Sequence, residues 1–368
     1  AGLAILQKRA AQNAVTSDFD SGKAAIGAGP YKLVRFLKGD RIELARHDGY
    51  WGAKPAWDRV TMRLITNDGA RVAALLAGDV HLIEIVPPSD YARLKTNSQL
   101  TVFAGPSNRM IFLHVDSDRE RTPFVTGKDG KPLEKNPLRD VRVRRALSMA
   151  INRQAVTERV MENLAMPAAQ FVPEGFFGHV PGVKPLPYDP AAARKLLAEA
   201  GYPDGFGLTL HGPNNRYVND EQVVQAVAQM FTRVGVNAKV EVMPFSVYIP
   251  RARKFDFSVP LLGWGVSTGE AGYALRSLVA TINADKGNGT FNWSRYSNAK
   301  VDQFTETALA TVDNAKREHL LREATKVAVA DHAVIPLFFQ INTWAARKGY
   351  AYTPRTDERT YAHEVRAQ

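Results

Sequence analysis

Between residues 188 and 243 helix-patterned and strand-patterned segments follow one another with few residues to spare. YDPAAARKLLAEAG places Asp189 to cap a helix and Pro190 in its first turn, where a missing N–H costs nothing. GFGLTLHG reads as a strand, EQVVQAVAQMFTRVG as an amphipathic helix closed by Gly235, and NAKVEVMPF as a further strand. Helix and strand in alternation is what an α/β lobe requires.

The flanks carry other patterns. Ahead of this stretch, YKLVRFL and RIELARH alternate around the turn Lys38-Gly39-Asp40 and predict a hairpin, and WDRVTMRLI alternates again. Asp68 is placed to cap the helix ARVAALLAG, which Gly78 would end. HLIEIV reads as a short strand, and Ser89 is placed to cap YARLKTN. SNRMIFLHVD predicts a strand. After a polar loop over 117–137, LRDVRVRRALSMAINRQAVTERVM has helical spacing with a break near Asn152. Residues 167–190 form a long loop rich in proline, glycine and aromatics. Beyond the alternating stretch, two helices are predicted over 301–333, and AVIPLFFQINTWAARKG reads as a buried strand.

Composition excludes several functions. The 368 residues suggest two or three domains, and the chain has no cysteine, so disulfides, thiolate metal sites and cysteine nucleophiles are absent. The formal charge is +11, but the densest basic stretch, Arg139 to Arg145, alternates with Val141, Val143 and Ala146 as one face of a helix does. No nucleic-acid module accompanies it, and no nucleic-acid partner is expected. The histidines lack metal-binding spacing, Gly27-Ala28-Gly29 leads into a strand, and there is no P-loop; neither metal nor cofactor is expected. No run approaches the ~20 apolar residues of a membrane span. AGLAILQKRAAQN lacks the apolar region and cleavage site of an export signal.

One motif raises the question of catalysis. FDFSVPLLGWGVSTGEAGYALRSLV contains Gly265-Val266-Ser267-Thr268-Gly269, a formal G-x-S-x-G between a strand and a helix. A serine hydrolase would use Ser267 as nucleophile, with His211-Gly212 imitating an oxyanion motif and Asp302, Asp331, His332 or His363 as partners. Against it, little follows this turn beyond one strong strand, whereas a hydrolase hangs its acid and histidine after successive strands.

GAGPYKLVRFLKGDRIELARHDGYWG, AWDRVTMRLITNDGARVAALLAGDVHLIE, LRDVRVRRALSMAINRQAV, YDPAAARKLLAEAGYPDGF and the GW turn occur in an order that resembles one family. It is that of the extracytoplasmic peptide- and nickel-type solute-binding proteins of ABC importers, solute-binding protein family 5. The resemblance runs from about residue 27 to about residue 355. It implies a two-lobed α/β clamp of the periplasmic-binding-protein type, with mixed sheets flanked by helices. It also implies a periplasmic setting, a peptide or small-molecule ligand between the lobes, a membrane permease as partner, and no enzymatic activity. On that mapping 1–112 is part of lobe one, 113–339 the second lobe and 340–368 the return, with crossings near 110–116 and 336–342. Members usually carry a further amino-terminal segment, so the resemblance also implies that lobe one is incomplete here.

In the family the GW turn faces the ligand. Trp264 matches the aromatic that lines it, with core packing as the alternative reading. Peptide binders place an aspartate just after it to pair with the ligand's ammonium. Here that position holds Ser267, beside Thr268, and Glu270 is the nearest carboxylate. From the residues themselves, Asn215, Arg216 and Tyr217 lie in a strand-to-helix loop, where open α/β sheets bind ligands. Tyr217 could stack on a ligand and Arg216 could anchor a carboxylate; a solvated loop capped by Asn219 or Asp220 is the alternative. Asn108 and Arg109 open the crossing strand and complete the candidate set.

Overall fold

A computed structural model describes residues 5–368. The chain forms two compact units, one made of the described residues up to Pro106 together with Asn342–Gln368, the other of Ser107–Ile341.

In the first unit two short helices, α1 (Lys8–Ala11) and α2 (Thr16–Asp20), precede the strands β1 (Tyr31–Leu37), β2 (Arg41–Arg46) and β3 (Arg59–Arg63). These pair antiparallel in chain order, with the β1–β2 turn made possible by Gly39 at φ 81°. Helix α3 (Asp68–Ala77) is capped by Asn67, whose Oδ1 accepts the Ala70 N–H at 2.9 Å; the expected cap, Asp68, is the first helical residue. Gly78 ends it in the left-handed conformation, as predicted. Strand β4 (Leu82–Glu84) follows, then α4 (Pro88–Lys95), preceded by Pro87, so that Ser89 sits inside the first turn instead of capping it. Val72, Leu75, Ile83, Val86, Leu94, Leu100 and Ala345 form this unit's core.

Two long strands, β5 (Leu100–His114) and, near the end of the chain, β11 (Val334–Arg347), carry the backbone between units; both boundaries lie inside these strands, as do the ends at 112 and 339 expected from sequence. In unit two β5 is followed by β6 (Val125–Thr126), α5 (Val141–Met149), α6 (Arg153–Ala155), β7 (Ala165–Pro167), α7 (Pro190–Glu199) and β8 (Gly207–Pro213). Then come α8 (Asp220–Thr232), β9 (Asn237–Met243), α9 (Phe245–Arg253), β10 (Val259–Gly265), α10 (Ala271–Ala274), α11 (Ala299–Leu309) and α12 (Asn314–Ala330). A two-strand pair, β12 (Tyr350–Ala351) with β13 (Arg366–Ala367), closes the return segment in unit one.

The sheet of unit two is mixed. β8 runs parallel to β9 and β10, while β10 is antiparallel to β5, with Trp264 opposite Met110 and Gly265 opposite Arg109. Because successive side chains point to opposite faces, neighbours sort into two cores. Ile111, Leu113, Leu210 and Leu261 pack with Leu147, Leu197, Val224 and Phe231 from α5, α7 and α8. Met110, Phe112, Leu262 and Trp264 pack with Tyr248, Leu321 and Ala324 from α9 and α12. Among the described residues no helix is long and apolar enough to cross a membrane.

Candidate ligand-binding site

At the Arg109 end of the β5–β10 pair, three separate stretches of sequence meet. Asn108 donates through Nδ2 to the Val266 carbonyl at 3.2 Å, and its own carbonyl accepts the Val266 N–H at 3.4 Å, which fixes the GW turn against the start of the strand. The loop after β8 comes alongside because β8 and β10 are parallel neighbours with their carboxyl ends together. Tyr217 donates its hydroxyl to the Gly263 carbonyl at 3.3 Å. Its ring occupies the space a side chain at 263 would need: a Cβ there would lie 2.6 Å from the Tyr217 Cε1.

The loop is held from below by Asp220. Its Oδ2 accepts the Arg216 and Tyr217 N–H groups at 2.9 and 3.0 Å. Burial raises the Asp220 carboxyl above its ordinary range, and burial likewise raises the Tyr217 hydroxyl, so that Tyr217 is a neutral donor at physiological pH. Asn219, one of the two expected caps, makes no side-chain cap bond and adopts φ 52°; Asp220 ties the loop backbone. Asn215 accepts the Phe245 N–H at 2.8 Å, at the N-terminus of α9.

This scaffolding positions guanidinium groups over aromatic rings. Arg216 lies 5.1 Å from the Tyr217 ring centre and 5.5 Å from that of Phe245, and Arg109 lies 5.8 Å from Tyr217. Such placement suits cation–π attraction and holds a flexible side chain in place. Among the described residues no carboxylate forms an ion pair with Arg216. The arrangement can receive a planar anionic group by paired N–H donors. Phe245 was not among the candidates read from sequence.

The remaining candidates stand apart in their surroundings. Trp264 is 9% exposed and packs on Tyr273 and Phe291, with ring centres 5.0 and 4.9 Å away. Its buried indole Nε1 has no hydrogen-bond partner among the described residues. Ser267 and Thr268 are exposed at the tip of the turn, which closes through the Gly269 N–H to the Val266 carbonyl at 2.9 Å. Glu270 is engaged by Arg317, which lies 5.3 Å over the Phe177 ring.

The geometry around Ser267 differs from a nucleophile elbow. Helix α10 begins only at Ala271, and Ser267 is not among the residues with positive φ, so the strained strand-to-helix turn of hydrolases is missing. Asp331 accepts bonds from Tyr296 at 2.6 Å and Asn298 at 2.8 Å, and Asp302 accepts the Thr281 N–H at 2.8 Å. His211 is buried in β8 against Phe257, with ring centres 4.3 Å apart. Among the described residues no three His, Asp or Glu side chains gather as a metal-ligand set.

The fold is that of periplasmic binding proteins. The peptide-bound DppA of Helicobacter pylori superposes with a TM-score of 0.78 at 22% identity, over 93% of this chain and 63% of its own. The substrate-binding protein CtaP of Listeria monocytogenes does so with 0.79 at 22%, over 98% and 71%. The profile of the bacterial extracellular solute-binding proteins, family 5 (middle region), matches residues 2–286, and the chain belongs to that family. Among curated relatives, the glutathione-binding protein GsiB of Salmonella paratyphi A is 32% identical over 324 residues, 86% of this chain. The chain spans 59% of that relative's length.

Proposed function

We propose that this chain is the solute-binding component of an ABC importer, working outside the cytoplasm. It captures a peptide-like or other small polar solute and delivers it to a membrane permease. Family membership supports the class of activity. The observation that bears on the solute is Arg216, set between Tyr217 and Phe245 with no carboxylate of its own. A group so placed is suited to a ligand carboxylate.

The relatives named for glutathione point the same way, since glutathione is a short peptide with two carboxylates. Glu270, the nearest carboxylate to the GW turn, is taken up by Arg317, so an ammonium is not the group that this turn favours. On this reading Asn108 and Asn215 hold the loops that frame Arg216, and Ser267 and Thr268 offer neutral hydroxyls, while Trp264, on the opposite face of β10 from Tyr217, serves as core. The chain is then no enzyme.

Isothermal titration with glutathione and with short peptides, free or amidated at the carboxyl end, tests this. Free acids should bind, amides should bind at least tenfold more weakly, and Arg216→Ala should lose roughly tenfold, about 1.4 kcal/mol. Equal affinity for acid and amide, or an unchanged Arg216→Ala variant, would remove the carboxylate assignment.

A further inference from the structure

The antiparallel sheet of unit one has two faces of opposite character. Register places Leu33, Phe36, Ile42, Leu44, Val60 and Met62 on one of them. The other is a grid of nine positions in three rows, Lys32–Ala45–Arg59, Arg35–Glu43–Thr61 and Leu37–Arg41–Arg63. Five cations and one acid share it. A face that serves only solubility mixes both signs of charge.

The few acids at hand are already used. Glu43 accepts the Arg41 Nε at 2.7 Å and Asp40 accepts its Nη1 at 2.6 Å, while Asp48 and Asp58 both engage Arg46. Lys32, Arg35, Arg59 and Arg63 are exposed, and among the described residues none has a side-chain hydrogen-bond or ion-pair partner. Arg63 stands directly opposite Arg41, which already takes up both Asp40 and Glu43, so no acid on this face is left for Arg63.

We infer that this face docks the protein on an anionic phospholipid surface. Strands about 4.8 Å apart, rising about 3.3 Å per residue, spread the four unpartnered cations over a patch roughly 10 by 13 Å. That matches an array of headgroup phosphates. Leu37, Ala45 and Thr61, the remaining positions, supply no aromatic or other large anchor of the kind a specific protein interface is built around. A bilayer surface needs no such anchor, because its attraction is summed over many diffuse charges. The inference does not depend on which solute the second unit takes.

Co-sedimentation with vesicles tests it, using phosphatidylcholine alone or mixed with phosphatidylglycerol, at about 0.05 M and about 0.5 M salt. The protein should pellet with the anionic vesicles at low salt only. A variant carrying Lys32→Glu, Arg35→Glu, Arg59→Glu and Arg63→Glu should lose at least tenfold in partitioning while keeping its thermal transition. A control with Lys195→Glu, Lys239→Glu, Lys300→Glu and Lys316→Glu, exposed residues of unit two, makes the same change in net charge and should keep most of the binding. Equal losses in both variants would mean that net charge acts without this face, and would overturn the inference. So would a wild-type protein that ignores anionic vesicles, even if it then cross-linked through position 35 to an acidic membrane protein.

Discussion

Adding one methyl group at position 263 tests how Tyr217 is held. An alanine Cβ there would meet the Tyr217 ring at 2.6 Å and the Ile111 Cδ1 at 2.7 Å, closer than packed atoms come. Gly263→Ala should therefore cost about 1–3 kcal/mol of stability and displace Tyr217 together with the arginines over it. Urea unfolding and ligand titration read the two effects; a variant as stable as wild type that binds normally would show that the ring moves freely. Arg216 and Tyr217 were legible because they follow a strand and precede a helix. Phe245 was not, since what seats it is Asn215, thirty positions earlier in the chain (|i−j| = 30). The pairing of Glu270 with Arg317 (|i−j| = 47) was hidden for the same reason: no local pattern encodes which charges fold together.

Helix α7 shows what local sequence can fix by itself. Asp189 accepts the Ala192 N–H at 2.8 Å and Pro190 fills the first turn, as the sequence predicts. Asp189→Ala should cost about 1 kcal/mol. Asp189→Asn, which keeps the acceptor, should cost much less, and equal losses in denaturant midpoint for the two would deny the cap its role. Strands β1, β2, β5, β8, β9 and β11 were legible through period-two or apolar runs, and the helix break near Asn152 lies where α5 gives way to α6. Strands β6 and β7, two and three residues long, carry too few positions to show a period. The caps of α3 and α4 were misplaced by one or two residues because Asn67-Asp68 and Pro87-Pro88-Ser89 each offer several capping or starting residues in a row.

Over the whole molecule, histidines tie stability to pH. Burial lowers His114 to about 3, and it lowers His211 and His332 to about 4, all from 6.5. Arg144, Arg145 and Arg153 further lower His332, while Glu241 partly offsets the shift of His211. Since the folded values lie below the unfolded one, the unfolded chain binds more protons between them. Their contribution is thus complete above 6.5 and is lost as pH falls toward 4 and then 3. The urea midpoint should drop between about pH 7 and about pH 5, above the range where ordinary carboxylates titrate. A midpoint that holds or rises would mean that these rings are already charged in the native protein.

The two strands that carry the chain between units also set an order of events during synthesis. Strand β4 finds its partner in the second half of β11, with Glu84 opposite Trp344, so β4 stays unpaired until the ribosome has passed residue 344. Unit two, the uninterrupted segment Ser107–Ile341, is translated entirely within that interval. The nascent chain therefore holds Leu75, Ile83 and Leu94 without the strand that carries Ala345 for most of its translation, and the inserted unit waits almost as long for Ile335, Leu337 and Phe338 from the first half of the same strand. A chaperone that acts on this protein as it emerges has its longest task on the segment that carries Leu75, Ile83 and Leu94, and the second half of β11 releases it.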